Sequence, residues 1–161
     1  MDPKLAAQNQ TIAGHIRDYG WHCLHVWPDE EGQDAFTYSI GFAESFGAPE
    51  VLVFGLPRDT AHAVLGVCAD LLRAGHAIQP GVEVGEVLDG GYRVVFWPLR
   101  DEWRGEYLGT AERHYGDVPF GAVVMFLPDR EHRFPWQDGY AGPPADEALA
   151  VAAIDRGAPG A

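Results

Sequence analysis

A continuous apolar run in the middle of the chain constrains the fold more than any other feature. Residues 51–54 read Val-Leu-Val-Phe, and the three residues that follow, Gly55-Leu56-Pro57, end the run. A strand that alternates apolar and polar residues is covered on one face, whereas an unbroken apolar strand is covered on both. We therefore predict a strand at 51–54 that is covered on both of its faces.

Two hairpins and one further strand are predicted around this run. Aromatic and β-branched residues dominate the first two segments, which a polar turn joins. Asp89-Gly90-Gly91 joins the second pair, and Asp-Gly between two such runs is a strong hairpin signal. Besides 51–54, the predicted strands are 21–27, 36–42, 82–88, 92–97 and 120–127.

Helical periodicity fills the intervals between the predicted strands. The predicted helices are 3–18, 60–74, 101–115 and a short one at 145–155. At 161 residues the chain fits one domain. We predict a single α+β domain over 1–144, followed by a short helix and a flexible tail over 145–161. The expected sheet is mostly antiparallel or mixed, built from the two hairpins plus apolar strands, with the helices packed on one side.

The charge of the chain excludes some partners. It has 24 acidic and 11 basic residues, a formal net charge of −13, and its basic residues form no stripe, which disfavours nucleic acid. No apolar run reaches the ~20 residues of a membrane span, and no signal peptide is recognisable. The two cysteines, Cys23 and Cys68, have no disulfide or metal spacing. We predict a cytoplasmic protein that binds neither nucleic acid nor membrane.

Known cofactor motifs do not occur in the sequence. There is no glycine-rich phosphate loop, dinucleotide fingerprint or nucleophile elbow. On a strand, His22 and His25 face opposite sides, while Cys23 and His25 together supply fewer ligands than zinc needs. We predict no metal site, and the identity of any cofactor stays open.

Residues 36–57 and the loop 128–140 are the predicted walls of a pocket, because a polar loop between packed strands commonly lines a cleft. Tyr38, Ser39 and Trp136 are its predicted lining residues. Two other interpretations remain open: Tyr38 is a core aromatic residue, and Trp136 belongs to a lid that folds over the core.

Three titratable residues are candidates for acid–base chemistry, namely Glu50, His22 and His114. Glu50 precedes the apolar strand, so it is either exposed at the strand start or a partly buried carboxylate with a raised pKa.

Several segments together carry a family resemblance. They are Tyr19-Gly20-Trp21-His22, residues 36–42, residues 46–57, Tyr107-Leu108-Gly109 with Tyr115-Gly116, and Pro128-Asp129 with Phe134-Pro135-Trp136. In this order the chain resembles the bacterial domain-of-unknown-function family numbered 4262. The resemblance implies a small bacterial cytosolic protein and brings no established reaction with it.

Three positions depart from the family pattern. Before Pro49-Glu50 the family usually has histidine, and this chain has Ala48. The last strand usually carries a glutamine where this chain has Val124, and a tryptophan where it has Leu127. If the histidine and glutamine line a polar site in relatives, Ala48 would line a more apolar one here.

These observations favour a small-molecule-binding domain, with a specialised enzyme of a bacterial biosynthetic pathway as its catalytic form. One alternative is a non-catalytic protein-interaction module that uses the acidic surface and the aromatic loop. A second alternative is a flavin-dependent enzyme of split-barrel type, which rests on a similar order of elements. Hairpin edges can pair between subunits, so a homodimer is a further prediction.

Overall fold

One mixed five-stranded sheet forms the centre of the structure, a computed structural model that describes residues 2–27 and 35–154. The strands are β1 (His22–Val26), β2 (Phe36–Ile40), β3 (Glu50–Phe54), β4 (Val95–Pro98) and β5 (Ala122–Phe126). Their order in the sheet is β1-β2-β3-β5-β4. β3 and β5 pair in parallel, and the other neighbours are antiparallel. The predicted α+β class with a mixed sheet is confirmed, as is the β1–β2 hairpin.

The helices differ widely in length. They are α1 (Pro3–Tyr19), α2 (Phe42–Phe46), α3 (Arg58–Arg73), α4 (Arg104–Tyr107), α5 (Gly109–Tyr115) and α6 (Asp146–Val151), with a 3-10 turn at Asp101–Trp103. Gly20 ends α1 with a φ of 91°, which is the left-handed geometry predicted for a helix stop. None of the described helices is long and apolar enough to cross a membrane.

Alternate residues of the central strands enter two different hydrophobic cores. Leu52 and Val124 join the core that α5, α6 and Ile12 of α1 cover, which we call the α5 face. Val51 and Val123 join the core that α3 covers, the α3 face. The prediction of cover on both faces of 51–54 is confirmed, and the prediction of helices on one side is wrong. These two predictions were incompatible with each other, because strands that are apolar on both faces need burial on both.

The predicted second hairpin is reduced to one bridge. Val84 pairs with Val94, and β4 begins only at Val95, so the described segment 82–88 contains no strand. Within that segment only Val87 is buried, and its polar residues point into solvent. An arm without a continuous buried face gains little from pairing, which explains why the Asp-Gly turn is not followed by a full ladder.

Other predicted boundaries also change. The loop predicted at 43–50 contains α2, and Glu50 already belongs to β3. The helix predicted over 101–115 is divided into the 3-10 turn, α4 and α5, and Gly105 and Gly109 lower the helix propensity of this stretch. The short C-terminal helix is a single element, α6, whose Ala148 and Val151 enter the core. The turn 28–34 and the tail after residue 154 lie outside the described residues.

If both faces are true cores, one large-to-small substitution on each face should be equally costly. Leu65 of α3 and Leu108 before α5 are both fully buried. We expect Leu65→Ala and Leu108→Ala each to lower the free energy of unfolding by about 2–4 kcal/mol. Urea unfolding measures this, with the exposed Val118→Ala as control, expected to change it by less than about 0.5 kcal/mol. A negligible effect at Leu65 would contradict the second core.

Candidate functional site

An open groove of about 1330 Å³ runs along β1 between the C-terminal half of α1 and the length of α3. β1 is an edge strand. α1 packs on the α5 face through Ile12 and Ile16, and α3 packs on the opposite face. The groove therefore follows an open edge of the sheet, with one helix on each side of it.

The described lining of the groove is electrically neutral in a strongly acidic chain. Among the described residues that line it are three arginines (Arg17, Arg58 and Arg73) and three aspartates (Asp18, Asp59 and Asp70), so these lining residues carry no net formal charge when histidines are neutral. Four of the seven histidines also line it, namely His15, His22, His25 and His62. The net charge of the described lining residues therefore does not repel an anionic ligand from this groove.

The three arginines differ in how they are held. Arg17 pairs with Asp18 at 3.2 Å and Arg73 with Asp70 at 3.1 Å. Arg73 also donates to the Tyr19 carbonyl oxygen. The side chain of Arg58, the first residue of α3, forms no ion pair or hydrogen bond with another residue in the described part of the chain. Arg58 is thus the groove cation that is available to a ligand.

Two exposed aromatic side chains border the groove. Tyr19 is 64% exposed and Trp27 is 69% exposed, and they stand on either side of β1 in sequence. Trp21, in contrast, is buried and stacks at a tilt on His62, with ring centroids 5.6 Å apart. Flat apolar surface is therefore offered at the rim, where a ligand can cover it.

His15 and His22 form a hydrogen-bonded pair of imidazoles. Their Nδ1 atoms are 2.7 Å apart, and their ring centroids are 4.9 Å apart at an interplanar angle of 23°. The centroid separation equals the nitrogen distance plus about one ring radius at each end, so the two Nδ1 atoms point at each other. One Nδ1 must therefore carry the proton and donate the hydrogen bond, and the other must be unprotonated and accept that hydrogen bond.

Burial above all, and His15 to a smaller extent, keeps His22 neutral. Burial, together with the nearby His15 and His114, lowers the pKa of His22 to about 4. His114 in turn hydrogen-bonds the Glu44 carboxylate. The sequence-predicted His22 and His114 thus lie near each other, and the neutral His22 is able to accept a proton.

The geometry of the His15–His22 pair does not suit a metal ion. The described residues contain no group of three or more histidine, cysteine, aspartate or glutamate side chains placed to hold a metal ion. Two nitrogens that face each other at 2.7 Å also leave no room for an ion bonded to each at about 2 Å.

The other end of the groove combines Cys23, His25 and Arg58. His25 hydrogen-bonds the Thr37 hydroxyl and packs edge-on against Trp27. Burial, and secondarily Arg58, lowers the pKa of His25. Burial raises the pKa of the Cys23 thiol to about 11, which keeps it protonated and unsuited to nucleophilic attack.

Glu50 lies outside this groove and is fully buried. Ser39 Oγ and the Phe42 N–H donate to its Oε1 at 2.8 and 3.0 Å, while the Gly41 and Ala43 N–H groups donate to its Oε2 at 3.2 and 3.0 Å. The Tyr115 hydroxyl is a fifth donor, to Oε2. The carboxyl group thus receives the free N–H groups at the start of α2.

Two opposing effects act on the ionisation of Glu50. Burial raises its pKa, and the hydrogen bonds from Tyr115, Ala43, Ser39 and Phe42 oppose that rise. Burial and the adjacent Glu50 raise the pKa of Tyr115, so its phenol remains a donor. Of the two interpretations of Glu50, the buried one is correct, and its bonding partners are backbone and core groups.

Comparison with known families decides where the chain belongs. A family model described as a domain of unknown function, DUF4262, matches residues 15–141. The chain belongs to the DUF4262 family. No curated protein and no solved structure matches it significantly. The part of the DUF4262 chain that matches includes His15, His22, Arg58 and Glu50.

The structure separates the other predicted site residues of the DUF4262 chain. Tyr38 is buried in the α5-face core, where hydrogen bonding to Thr110 and Ala111 satisfies its hydroxyl. Ser39 is buried, donates to Glu50 and accepts from the Val51 N–H at 3.0 Å. Ala48 packs against the α3-face core. These three residues surround Glu50 and the core rather than the groove.

Trp136 lies on the core as part of a lid. Its ring stacks on Phe134 and meets Phe126 and Trp97 edge-on. The Asp129 carboxylate holds this loop by accepting the N–H groups of Glu131, Arg133 and Ala141. The lid interpretation of 128–140 is therefore the one that the geometry supports.

Most of the residues that line the groove of this DUF4262 chain were not predicted from the sequence. His15 lies in α1 and Arg58 at the start of α3, and both meet β1 only through tertiary packing. The signal that would have helped is the clustering of histidine, tryptophan and cysteine on 21–27, a short strand without the charges that usually protect a sheet edge.

Replacement of Glu50 tests its structural role. In Glu50→Gln the amide NH2 must face N–H or O–H donors, because all five contacts donate to the carboxylate. We expect a loss of about 2–3 kcal/mol in the free energy of unfolding. Glu44→Gln, on an exposed neighbour, is the matched control and should change it by less than about 0.5 kcal/mol. Equal effects of the two variants would refute the role given to Glu50.

The pH dependence of stability tests the neutral His22. Between its ordinary pKa and about 4, the unfolded chain binds a proton at His22 and the folded chain does not. Stability should therefore fall as the pH falls through this window, and His22→Gln should reduce the slope. Urea midpoints at several pH values measure it, with the exposed His76→Gln as control. An NMR titration midpoint for His22 near its ordinary value would contradict the buried, neutral state given to His22.

Proposed function

We propose that this DUF4262 chain binds an organic ligand that carries a carboxylate, in the groove between α1, β1 and α3. The observation that carries the proposal is Arg58, whose guanidinium has no partner among the described residues, in a groove whose described lining residues carry no net charge, within a chain of −13. Elsewhere the acidic surface repels anions, so this groove is the favourable place for one. A guanidinium binds a carboxylate through two parallel hydrogen bonds.

The walls of the groove support an amphipathic ligand. The exposed Tyr19 and Trp27 offer ring faces at the rim, and His25 lies between Trp27 and the sheet. A ligand with one carboxylate and a flat or apolar part would use Arg58 and these rings together. The protonated Cys23 and neutral His25 add polar atoms without adding charge.

A proton-transfer enzyme is the second candidate function, and the His15–His22 pair is the observation that favours it. The pair lines the same groove, and the imidazole that donates its Nδ1–H to the other keeps an Nε2 that can accept a proton from a bound ligand. His15 would act by fixing the tautomer of His22 through their shared proton. The reaction would then be the removal of an acidic proton from the bound ligand, because a base with a pKa of about 4 does not deprotonate a weak acid efficiently.

The remaining alternatives receive less support. The aromatic loop of the interaction-module alternative is packed on the core through Trp136. The described sheet is open, with β1 and β4 at its edges, so the analogy with flavin-binding split barrels loses its basis. We keep a bacterial, cytoplasmic setting as part of the proposal, supported by the free thiols of Cys23 and Cys68.

Binding of a simple aromatic carboxylate tests the function. Hippurate combines a ring, an amide and a carboxylate, and its methyl ester lacks only the charge. We expect hippurate to shift backbone NMR signals of β1 and of the start of α3, and Arg58→Gln to weaken its binding about tenfold. Arg130→Gln is the matched control, because Arg130 is exposed and outside the groove. Equal binding of hippurate and its ester would refute an anion site.

A further inference from the structure

The two edge strands of the sheet, β1 and β4, differ in whether other backbone segments hydrogen-bond to them. Along β4, Gly81 donates its N–H to the Phe96 carbonyl, and Val84 exchanges two hydrogen bonds with Val94. The far end of β4 is met by the residues after α6, where the Ala153 N–H donates to the Pro98 carbonyl at 2.7 Å. The β4 edge is thus covered by backbone from two other segments.

The β1 edge presents free backbone groups in a defined pattern. The Gly55 N–H donates to the Ala35 carbonyl, so the backbone of Ala35 faces β3. Because these directions alternate along a strand, the backbone of Tyr38 faces β1, and so do those of its neighbours at every second position. Leu24 is opposite Tyr38 and faces it. The N–H and C=O groups of Cys23 and His25 therefore point outward into the groove.

These outward groups have no partner in residues 2–27 and 35–154. No backbone or side-chain hydrogen bond joins the N–H or C=O of Cys23 or His25 to another described residue. Proteins usually protect such an edge with charged residues, proline or a bulge. β1 reads His-Cys-Leu-His-Val. It contains no proline and no acidic residue, and its histidines are its only basic residues. The spacing of Cys23 and His25, two residues apart, is the repeat with which an added strand forms its hydrogen bonds.

We infer that the ligand of the groove is an extended peptide segment bearing a carboxylate, which adds to β1 as a sixth strand. The inference rests on the proposed function and specifies its ligand class. The groove is larger than the ~300–1,000 Å³ usual for small-molecule sites, and it runs along a strand. In this binding mode the main chain supplies affinity and alternate side chains supply specificity.

The charges of the groove select the chemistry of the partner. Arg58 lines the same groove as Cys23 and His25. An acidic side chain or a C-terminal carboxylate on the added strand would reach it. A second copy of this chain fits less well, because β1–β1 pairing would join two chains of −13.

Random short peptides with free C-terminal carboxylates, screened on the wild-type protein, supply the probe. We expect the selected peptides to carry a carboxylate and β-forming residues. Methylating single backbone nitrogens of one such peptide should weaken binding about tenfold at every second position and little at the positions between. A uniform response to methylation, or an absence of binders, would overturn strand addition.

Two variants of one residue provide the matched control on the protein. His25→Pro removes the outward N–H while leaving the β1–β2 hydrogen bonds intact, and His25→Ala removes the imidazole but keeps the N–H. Peptide binding should fall about tenfold in His25→Pro and less than about threefold in His25→Ala. If His25→Pro does not fold, the methylated peptides on the wild type still decide the question.

The remaining outcomes separate the two proposals. If hippurate binds through Arg58 but the methylation pattern is absent, strand addition fails and the anion site stands. If neither hippurate nor any peptide responds to Arg58→Gln, the anion site itself fails. A concentration-dependent dimer that His25→Pro abolishes would replace the peptide with a second copy and so overturn the inference.

Discussion

The buried carboxyl group of Glu50 holds together the junction on which the groove depends. It joins the start of β3, the end of β2, the first turn of α2 and Tyr115 of α5 through five donated hydrogen bonds. Gly41 stands at this junction with a φ of 121°, and a Cβ there would lie 2.8 Å from the Gly20 carbonyl oxygen. The tight approach that only glycine permits places the turn from α1 into β1 against the sheet, and with it the groove.

Once α1 and α3 are fixed on opposite faces, the groove follows from geometry. Each helix buries its apolar stripe on its own face, and neither reaches over the outer edge of β1. The His15–His22 pair then spans α1 and β1, while Arg58 of α3 lines the same groove as Cys23 and His25. The lining of the groove is thus assembled from three segments that share no sequence motif.

Sequence patterns predicted the elements better than their assembly. The unbroken apolar run at 51–54 identified β3 and its double cover, and the aromatic segments identified the β1–β2 hairpin. The second hairpin was predicted from an Asp-Gly turn, but pairing also needs a buried face that 82–88 lacks. Glu50 was predicted as a catalytic candidate, while its five donors lie in two other stretches of the chain, residues 39–43 and Tyr115, and carry no local signal.

The sequence by itself determined the α+β class, the family, the acidic charge and the positions of most strands, because periodicity and turn chemistry are local properties. Tertiary structure alone decided that helices cover both faces, that Tyr38 and Trp136 belong to the core, and that His15 meets His22. It also decided which sheet edge stays open. Those outcomes depend on contacts between residues far apart in the chain, where many pairings satisfy the same local pattern and packing selects one.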